Sequence, residues 1–137
     1  MTKVIVNGSF DILHLGHLKM LKYAKEIPNS YLLVLIDSDE RIKELKGNDR
    51  PVNSVDERKA MLEAIRYVDE VKVFHSAEEL EDLIKNYDPD VMVKGEDYFG
   101  KDIIGRQYCK EIQYFTYLND YSTTKKIQSI INRRQLR

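Results

Sequence analysis

Short apolar runs alternate with helix-like stretches along the whole of this 137-residue chain. The runs 3–8 and 31–36 are mostly aliphatic and end in glycine or before polar residues, as strands covered on both faces do. Between them, apolar residues recur at helical spacing over 16–27 until Pro28 interrupts the pattern. This alternation favours right-handed βαβ crossovers, and it predicts an α/β fold: a Rossmann-like open parallel sheet of about five strands, with helices on both faces.

The alternation continues to the C-terminus without a repeat, a low-complexity tract or a linker. We therefore expect a single domain over residues 1–137, large enough to bury a core of its own. Ser54 and Glu57 form a capping box at the start of one helix. The remaining predicted strands are 71–74, 91–93 and 112–117, and the remaining predicted helices are 39–45, 55–66, 77–86, 103–109 and 123–134.

Composition excludes several functional classes. The formal net charge of −1 gives no general attraction to nucleic acid or to an anionic membrane. The basic residues of 125–137 suit a helix C-terminus and lack the interleaved aromatic residues of a nucleic-acid site. No apolar run approaches the ~20 residues that span a bilayer. The single cysteine, Cys109, forms no internal disulfide, so we expect a cytoplasmic protein with an unreactive thiol.

Ligands of open parallel sheets bind at the carboxyl ends of the strands, where the strand order reverses. In this chain four polar stretches follow predicted strands, and we expect them to converge. They are residues 8–17, 37–39, 95–98 and 120–124.

The first of these stretches carries two histidines, His14 and His17, at the predicted start of a helix. This spacing places both imidazoles on one side of the first turn, where free backbone N–H groups and the helix dipole favour an anion such as phosphate. The three-glycine dinucleotide fingerprint and the Walker loop are both absent. No carboxylate or thiol at matching spacing supports a metal site. The alternative is a pair of surface histidines that cap a helix.

The stretch Gly8-Ser9-Phe10-Asp11, followed by His14-Leu15-Gly16-His17, resembles the signature of the class I nucleotidyltransferase superfamily, the HxGH cytidylyltransferase-like enzymes. The resemblance implies that His14 and His17 act on the nucleotide α-phosphate. It also assigns Gly8, Ser9, Phe10, Asp11 and Gly16 to the nucleotide site. Physical reasoning agrees, because attack of a substrate phosphate on an α-phosphate needs position and positive electrostatics rather than a protein nucleophile.

Residues 46–53 resemble the Lys-Gly…Arg-Pro-Val-Asn loop of bacterial heptose-1-phosphate adenylyltransferases. By that likeness Lys46 is a phosphate ligand, and Arg58 points from the next helix toward the same site. Arg50 is a candidate substrate-binding residue of this loop. His75 stands at a strand end on the same edge, so it is a second candidate for contact with the acceptor, although lone surface histidines are common.

Residues 93–98 resemble the Val-Lys-Gly-Gly-Asp-Tyr segment of the same adenylyltransferases, with Glu96 in place of the second glycine. The likeness implies that Gly95 and Asp97 contact the ribose and base. Ser122, Thr123 and Thr124 resemble the family's Ser-Thr-Thr motif, which closes the nucleotide site at a helix start.

Two branches of the superfamily compete. Ile103-Ile104-Gly105 and the 46–53 loop favour a heptose-1-phosphate adenylyltransferase, which joins ATP to a sugar 1-phosphate. Residues 65–71 and 122–125 resemble glycerol-3-phosphate cytidylyltransferases, which use CTP and a polyol phosphate. Those enzymes carry Arg-Thr-Glu-Gly-Ile before Ser-Thr-Thr, and this chain has Leu-Asn-Asp-Tyr over 118–121, which weakens the cytidylyl alternative.

The resemblance covers nearly the whole chain and therefore implies no separate kinase domain. It further implies a homodimer, and a Mg²⁺ ion that arrives with the nucleotide and needs no dedicated protein ligand. A hypothesis from another class is a nucleotide-binding module without catalytic activity.

Overall fold

A computed structural model describes residues 1–116 and 123–135. Within these ranges the strands are β1 Thr2–Gly8, β2 Ser30–Asp37, β3 Glu70–Phe74, β4 Val91–Gly95 and β5 Glu111–Phe115. They are parallel and form one sheet in the order β3-β2-β1-β4-β5, so β1 lies at its centre. The register of β1 with β2 runs from Thr2 opposite Ser30 to Gly8 opposite Ile36.

The helices follow the sequence periodicity closely. They are α1 Leu15–Lys25, α2 Asp39–Lys46, α3 Val55–Glu63, α4 Ala77–Tyr87 and α5 Thr123–Gln135. Ser54 caps α3, because its side chain accepts the N–H of Glu57 at 3.4 Å. The predicted residues Tyr117 and Ser122, at the ends of the last strand and helix, lie outside the described residues.

Both faces of the sheet are covered, which confirms the predicted α/β architecture. One core joins Val4, Val6 and Val34 to buried residues of α1 and α3, including Leu21 and Leu62. The alternate side chains of the same strands point to the other face. There they pack with α4 in a second core, which comprises Ile5, Leu33, Leu35, Phe74, Leu80, Ile84, Met92 and Ile103.

Two predicted helices were too long. The helix that begins after Ser54 ends at Glu63 rather than at 66. The region 103–109 contains only a 3₁₀ turn, Arg106–Tyr108. The reason lies in Gly105, whose φ of 82° is left-handed and whose missing Cβ would lie 2.5 Å from Cδ1 of Ile84. This glycine therefore allows the chain to turn tightly against α4, where a helix would not fit.

Cys109 is half-buried, and burial raises the pKa of its thiol to about 11. A thiol with a raised pKa is mostly protonated at neutral pH and therefore a weak nucleophile. Within residues 1–116 and 123–135, no helix is long and apolar enough to cross a membrane.

Candidate active site

A cavity of about 490 Å³ opens at the carboxyl ends of β1 and β4. It brings together most of the residues expected from the sequence, although they come from five separate stretches of chain. Its wall is formed by Asn7, Gly8, Ser9, Phe10, His14, His17, Met20, Lys46, Arg50, Glu96, Asp97, Tyr98, Thr123 and Thr124.

The two histidines form a stacked pair at the start of α1. His14 is the residue before the first helical turn, and His17 lies within that turn. Their ring centroids are 3.7 Å apart, with the planes inclined by 22°. The backbone N–H of His14 donates to Nδ1 of His17 at 3.2 Å. This bond fixes the His17 ring at the helix start, where the helix dipole is positive.

His17 is neutral at physiological pH. Its pKa is lowered to about 3, first by burial and then by the positive charges that His14 and Lys46 carry when protonated. Burial and the nearby Lys126 also lower the pKa of His14. Because Nδ1 of the neutral His17 ring accepts a hydrogen bond, its proton resides on Nε2. His17 therefore offers an N–H donor without a resting charge.

The backbone between β1 and α1 is strained. Phe10 and Ile12 have φ values of 52° and 55°, in the left-handed region that non-glycine residues rarely adopt. The Phe10 ring is buried and lies 5.0 Å from the His17 ring, centroid to centroid. A Cβ on Gly8 would lie 3.2 Å from that ring, so glycine makes room for it. This conformation places the Phe10 ring against the ring of His17.

Asp11 holds the strained segment against the 46–53 loop. Its two carboxylate oxygens accept the N–H groups of Val52 at 2.7 Å and Asn53 at 2.8 Å. The hydroxyl of Thr123, at the start of α5, donates to the carbonyl of Asp11. The side chain of Asp11 is 4% exposed and does not line the cavity. Asp11 therefore links the segment between β1 and α1 to the 46–53 loop and to the start of α5.

Arg58 lies beneath the site rather than on its wall. Its side chain is buried, and its three donor nitrogens serve three different segments. Nη1 donates to the carbonyl of Ser9 at 2.9 Å, Nε donates to the carbonyl of Asn53 at 3.0 Å, and Nη2 pairs with Asp39 at 2.8 Å. The geometry therefore differs from the expected contact with phosphate: the guanidinium holds the site together from below.

Lys46 and Arg50 bring positive charge to the cavity wall, as the sequence predicts. Nζ of Lys46 donates to Oγ of Ser9 at 3.3 Å, and the lysine is otherwise exposed. Nη2 of Arg50 donates to Oγ1 of Thr124 at 3.1 Å, which links the 46–53 loop to the start of α5. Both contacts are to neutral hydroxyls, which leaves the cations available to an anionic ligand.

Three further predicted residues lie off the wall. Gly16 is buried within α1, and Gly95 is buried at the end of β4. His75 is exposed beyond the edge strand β3, with Nδ1 3.4 Å from Glu79. Ser122 lies outside the described residues.

Asn7, Met20, Glu96 and Tyr98 also line the cavity, although no motif assigned them a role. Glu96 and Tyr98 belong to the stretch 95–98 that was expected at this edge, and Asn7 is at the end of β1. The rule that ligands bind at strand ends covers these positions without any motif. Met20 carries no such signal.

A second cavity, of about 310 Å³, adjoins the first. The two share part of their walls, namely Asn7, Gly8, Ser9, Lys46 and Tyr98. The remainder of the second cavity includes the charged side chains Asp37, Arg41, Lys94 and Asp102.

Within the described ranges, no group of three or more histidine, cysteine, aspartate or glutamate side chains could hold a metal ion. The donors on the cavity wall suit anionic and hydroxylated ligands instead.

The paired histidines lie at the start of the first helix, on the ligand-binding edge of a parallel sheet, as the resemblance to α/β nucleotidyltransferase domains implies. The family model described as cytidylyltransferase-like matches residues 5–135, and the chain belongs to that family. A relative in Campylobacter fetus, "Bifunctional protein HldE", is 43% identical over 129 residues, which are 94% of this chain and 28% of the relative.

A second "Bifunctional protein HldE", from Helicobacter hepaticus, is 42% identical over 127 residues, covering 93% of this chain and 26% of the relative. The chain thus spans about a quarter of the length of these relatives. Among solved structures, the lipopolysaccharide core biosynthesis protein from Thermoplasma volcanium is similar with a TM-score of 0.63 and 25% identity. That match covers 89% of this chain and 99% of the other.

Proposed function

We propose that this protein joins a nucleoside triphosphate, ATP by preference, to a phosphorylated sugar, giving a nucleotide-sugar and pyrophosphate. The observation that carries the proposal is the stacked pair His14 and His17 at a helix start, facing a cavity with the cations Lys46 and Arg50. Such a site stabilises charge that develops on a transferring phosphoryl group.

The reaction is an in-line displacement. An oxygen of the sugar phosphate attacks the α-phosphorus and forms a new P–O bond. The bond from the α-phosphorus to the bridging oxygen breaks, and pyrophosphate leaves with its electron pair. No protein nucleophile and no oxidant or reductant are needed.

The histidines act on the α-phosphate. The neutral Nε2–H of His17 donates to a non-bridging oxygen on which charge accumulates, and the helix start adds unpaired backbone N–H groups. A neutral donor of this kind gains most when negative charge increases, so it favours the transition state over bound substrate. Lys46 and Arg50 balance the charge of the remaining phosphates.

The nucleotide contacts proposed from the family resemblance are supported by the walls of the cavity. Asp97 is exposed there and can accept hydrogen bonds from ribose hydroxyls, and Thr124 supplies a hydroxyl beside Arg50. We propose that Mg²⁺ enters as the nucleotide complex. Bound to phosphate oxygens, it would neutralise charge on the nucleotide and on pyrophosphate.

The preference for ATP and a sugar 1-phosphate is supported by sequence likeness in residues 46–53 and 93–98 to heptose-1-phosphate adenylyltransferases. The polar second cavity provides space for a hydroxylated acceptor next to the phosphate site. A polyol phosphate with CTP is the alternative pair of substrates.

Pyrophosphate release with crossed substrates tests the proposal. ATP, CTP, GTP and UTP would each be combined with a panel of sugar 1-phosphates and with glycerol 3-phosphate, in the presence of Mg²⁺ and after its removal by a chelator. We expect turnover with ATP and a sugar 1-phosphate, lost on chelation. Turnover only with CTP and glycerol 3-phosphate would establish the alternative, and tight nucleotide binding without any turnover would establish a non-catalytic module.

We also propose that the protein acts as a homodimer in the cytoplasm. The dimer is supported by the family resemblance, and the compartment by the single cysteine and the need for nucleoside triphosphates. Sedimentation equilibrium over a range of concentrations tests the dimer; a mass of one chain at every concentration would contradict it.

A further inference from the structure

The second cavity contains a buried lysine that, within the described residues, has an aromatic neighbour and no hydrogen-bond acceptor. Lys94, on β4, is 6% exposed. Among the described residues it makes no hydrogen bond and no ion pair; its ammonium lies 4.3 Å from the centre of the Tyr98 ring. Burial lowers its pKa to about 8, against the opposing effects of Asp37 and Asp97. The ammonium at the end of this largely buried side chain can therefore donate to a ligand in the cavity.

Two other buried polar groups face the same space. Oδ1 of Asn7 is buried and has no hydrogen-bond partner within the described part of the chain, and Asn7 lines both cavities. Asp37 is 8% exposed at the end of β2, where burial raises the pKa of its carboxyl. Its nearest cation is Arg41, at 3.5 Å. Donor and acceptor groups therefore meet in one small cavity.

The wall that the two cavities share indicates where the phosphate of the acceptor lies. An acceptor phosphate must reach the α-phosphate beside His17, so it lies where the two cavities meet, near Ser9 and Lys46. Lys94 and Asp37 line only the second cavity. They therefore face the part of the acceptor that extends away from its phosphate.

We propose that the second cavity binds the polyhydroxylated body of the acceptor, and that Lys94, with Asp37, determines specificity by binding its hydroxyl groups. An ammonium donates to a hydroxyl oxygen, and a carboxylate accepts from a hydroxyl hydrogen. Together they bind a hydroxylated carbon chain or ring, whereas an apolar acceptor would leave the Lys94 ammonium without a hydrogen-bond acceptor. Discrimination of this kind is strong, because buried polar groups without partners oppose binding.

This inference rests on the proposed function, since the assay measures transfer to the acceptor. Lys94→Met keeps an unbranched side chain, one atom shorter than that of lysine, and removes its charge. Lys43→Met is the matched control, because Lys43 is an exposed lysine of α2 that lines neither cavity. We expect Lys94→Met to raise the KM for the sugar phosphate about tenfold or more. The Kd for a non-hydrolysable nucleotide should change less than about twofold, and Lys43→Met should alter neither quantity.

An unchanged acceptor KM in Lys94→Met would overturn the inference while leaving the proposed function intact. An equal increase in the acceptor KM and in the nucleotide Kd would also overturn the inference and leave the proposed function intact. Absence of turnover by the wild-type protein with every substrate pair would instead refute the proposed function. The two failures are therefore distinguishable.

Single-deoxy analogues of the accepted sugar phosphate sharpen the test. At least one analogue should have a raised KM with the wild-type protein and no further increase with Lys94→Met, because the lost hydroxyl and the lost ammonium are partners. If the penalties for all analogues are the same in both proteins, Lys94 does not bind a hydroxyl.

A second measurement needs no variant and covers the case in which Lys94→Met fails to fold. Lysine labelled with ¹³C at Cε would be incorporated biosynthetically, and the wild-type protein would be observed by NMR. The Lys94 signal should shift on addition of the sugar phosphate and not on addition of the nucleotide alone. A signal that responds only to nucleotide would overturn the assignment.

Discussion

The backbone N–H of His14 donates to Nδ1 of His17, and the two rings stack with their centroids 3.7 Å apart. The contact determines which nitrogen of His17 carries the proton, because an accepting Nδ1 leaves the hydrogen on Nε2. It also aligns both rings at the positive end of α1. The proposed reaction depends on this arrangement.

Loss of the Nε2 donor should impair chemistry more than binding. We expect His17→Ala to lower kcat about 10²–10³-fold, the effect of removing one such donor, while nucleotide Kd changes only a few-fold. Steady-state kinetics and calorimetry of nucleotide binding provide the two quantities. Equal losses in kcat and in affinity would contradict a role in the transition state.

Two amide variants of His17 distinguish the roles of its two ring nitrogens. The amide nitrogen of His17→Gln can take the place of Nε2, whereas the amide group of His17→Asn lies near Nδ1 and retains only the acceptor for the His14 N–H. We expect His17→Gln to keep markedly more activity than His17→Asn. The reverse order would mean that the contact with His14 matters more than donation to phosphate.

Stability should decrease in acid because of His17. Its folded-state pKa of about 3 lies below the unfolded value near 6.5, so the unfolded chain binds more protons between these values. The stabilisation is complete above pH 6.5 and is lost progressively as pH falls toward 3. We expect this residue to cost roughly 1–2 kcal/mol of unfolding free energy at pH 5 relative to pH 7.

Urea denaturation of wild-type protein and of His17→Gln at the two pH values measures this effect. Glutamine does not titrate, so the decrease between pH 7 and pH 5 should be smaller in the variant. Equal decreases would show that the pKa of His17 is not lowered by folding. The ¹⁵N chemical shifts of the His17 ring should likewise remain those of a neutral imidazole at pH 5.

Asp11→Asn should loosen the 46–53 loop. One carboxylate oxygen becomes an N–H₂ group that cannot accept from Val52 or Asn53, so one of the two anchoring bonds is lost. We expect hydrogen exchange at residues 50–53 to accelerate and the nucleotide KM to rise several-fold, because Arg50 is carried by this loop. Asp56→Asn, an exposed substitution on α3, is the control and should do neither.

Arg58→Met should lower the free energy of unfolding by about 3 kcal/mol. Removal of the buried guanidinium leaves its three acceptors, on Ser9, Asn53 and Asp39, without their donor. Arg58→Lys should recover only part of this loss, since one ammonium cannot serve three separated acceptors. Chemical denaturation measures both. A variant with wild-type stability and weak nucleotide binding would instead favour a direct contact between Arg58 and phosphate.

Arg66→Met is the control for Arg58→Met, because Arg66 is exposed and contacts the neighbouring Tyr67. It should leave both stability and nucleotide affinity unchanged within error. A loss of stability in this control would mean that removal of any cation from this part of the chain destabilises the fold, whatever its burial.

The α/β architecture was predictable from the sequence because it depends on local regularities. Continuous aliphatic runs such as residues 31–36 and helical spacing between them require a buried parallel sheet with helices on its faces. The cap Ser54 was equally readable, since its partner Glu57 is three residues away. The histidine pair was recognised for the same reason, as both members lie within one turn.

The tertiary structure alone decided what Asp11, Arg58 and Lys94 do. Asp11 meets Val52 and Arg58 meets Ser9 across more than 40 residues of sequence, so no local pattern records these contacts. The same charged residue in a sequence can face solvent, a ligand or a buried partner. The free energies of these three environments differ by several kcal/mol. Only packing determines which applies, and here it placed Arg58 under the site and Lys94 inside a neighbouring cavity.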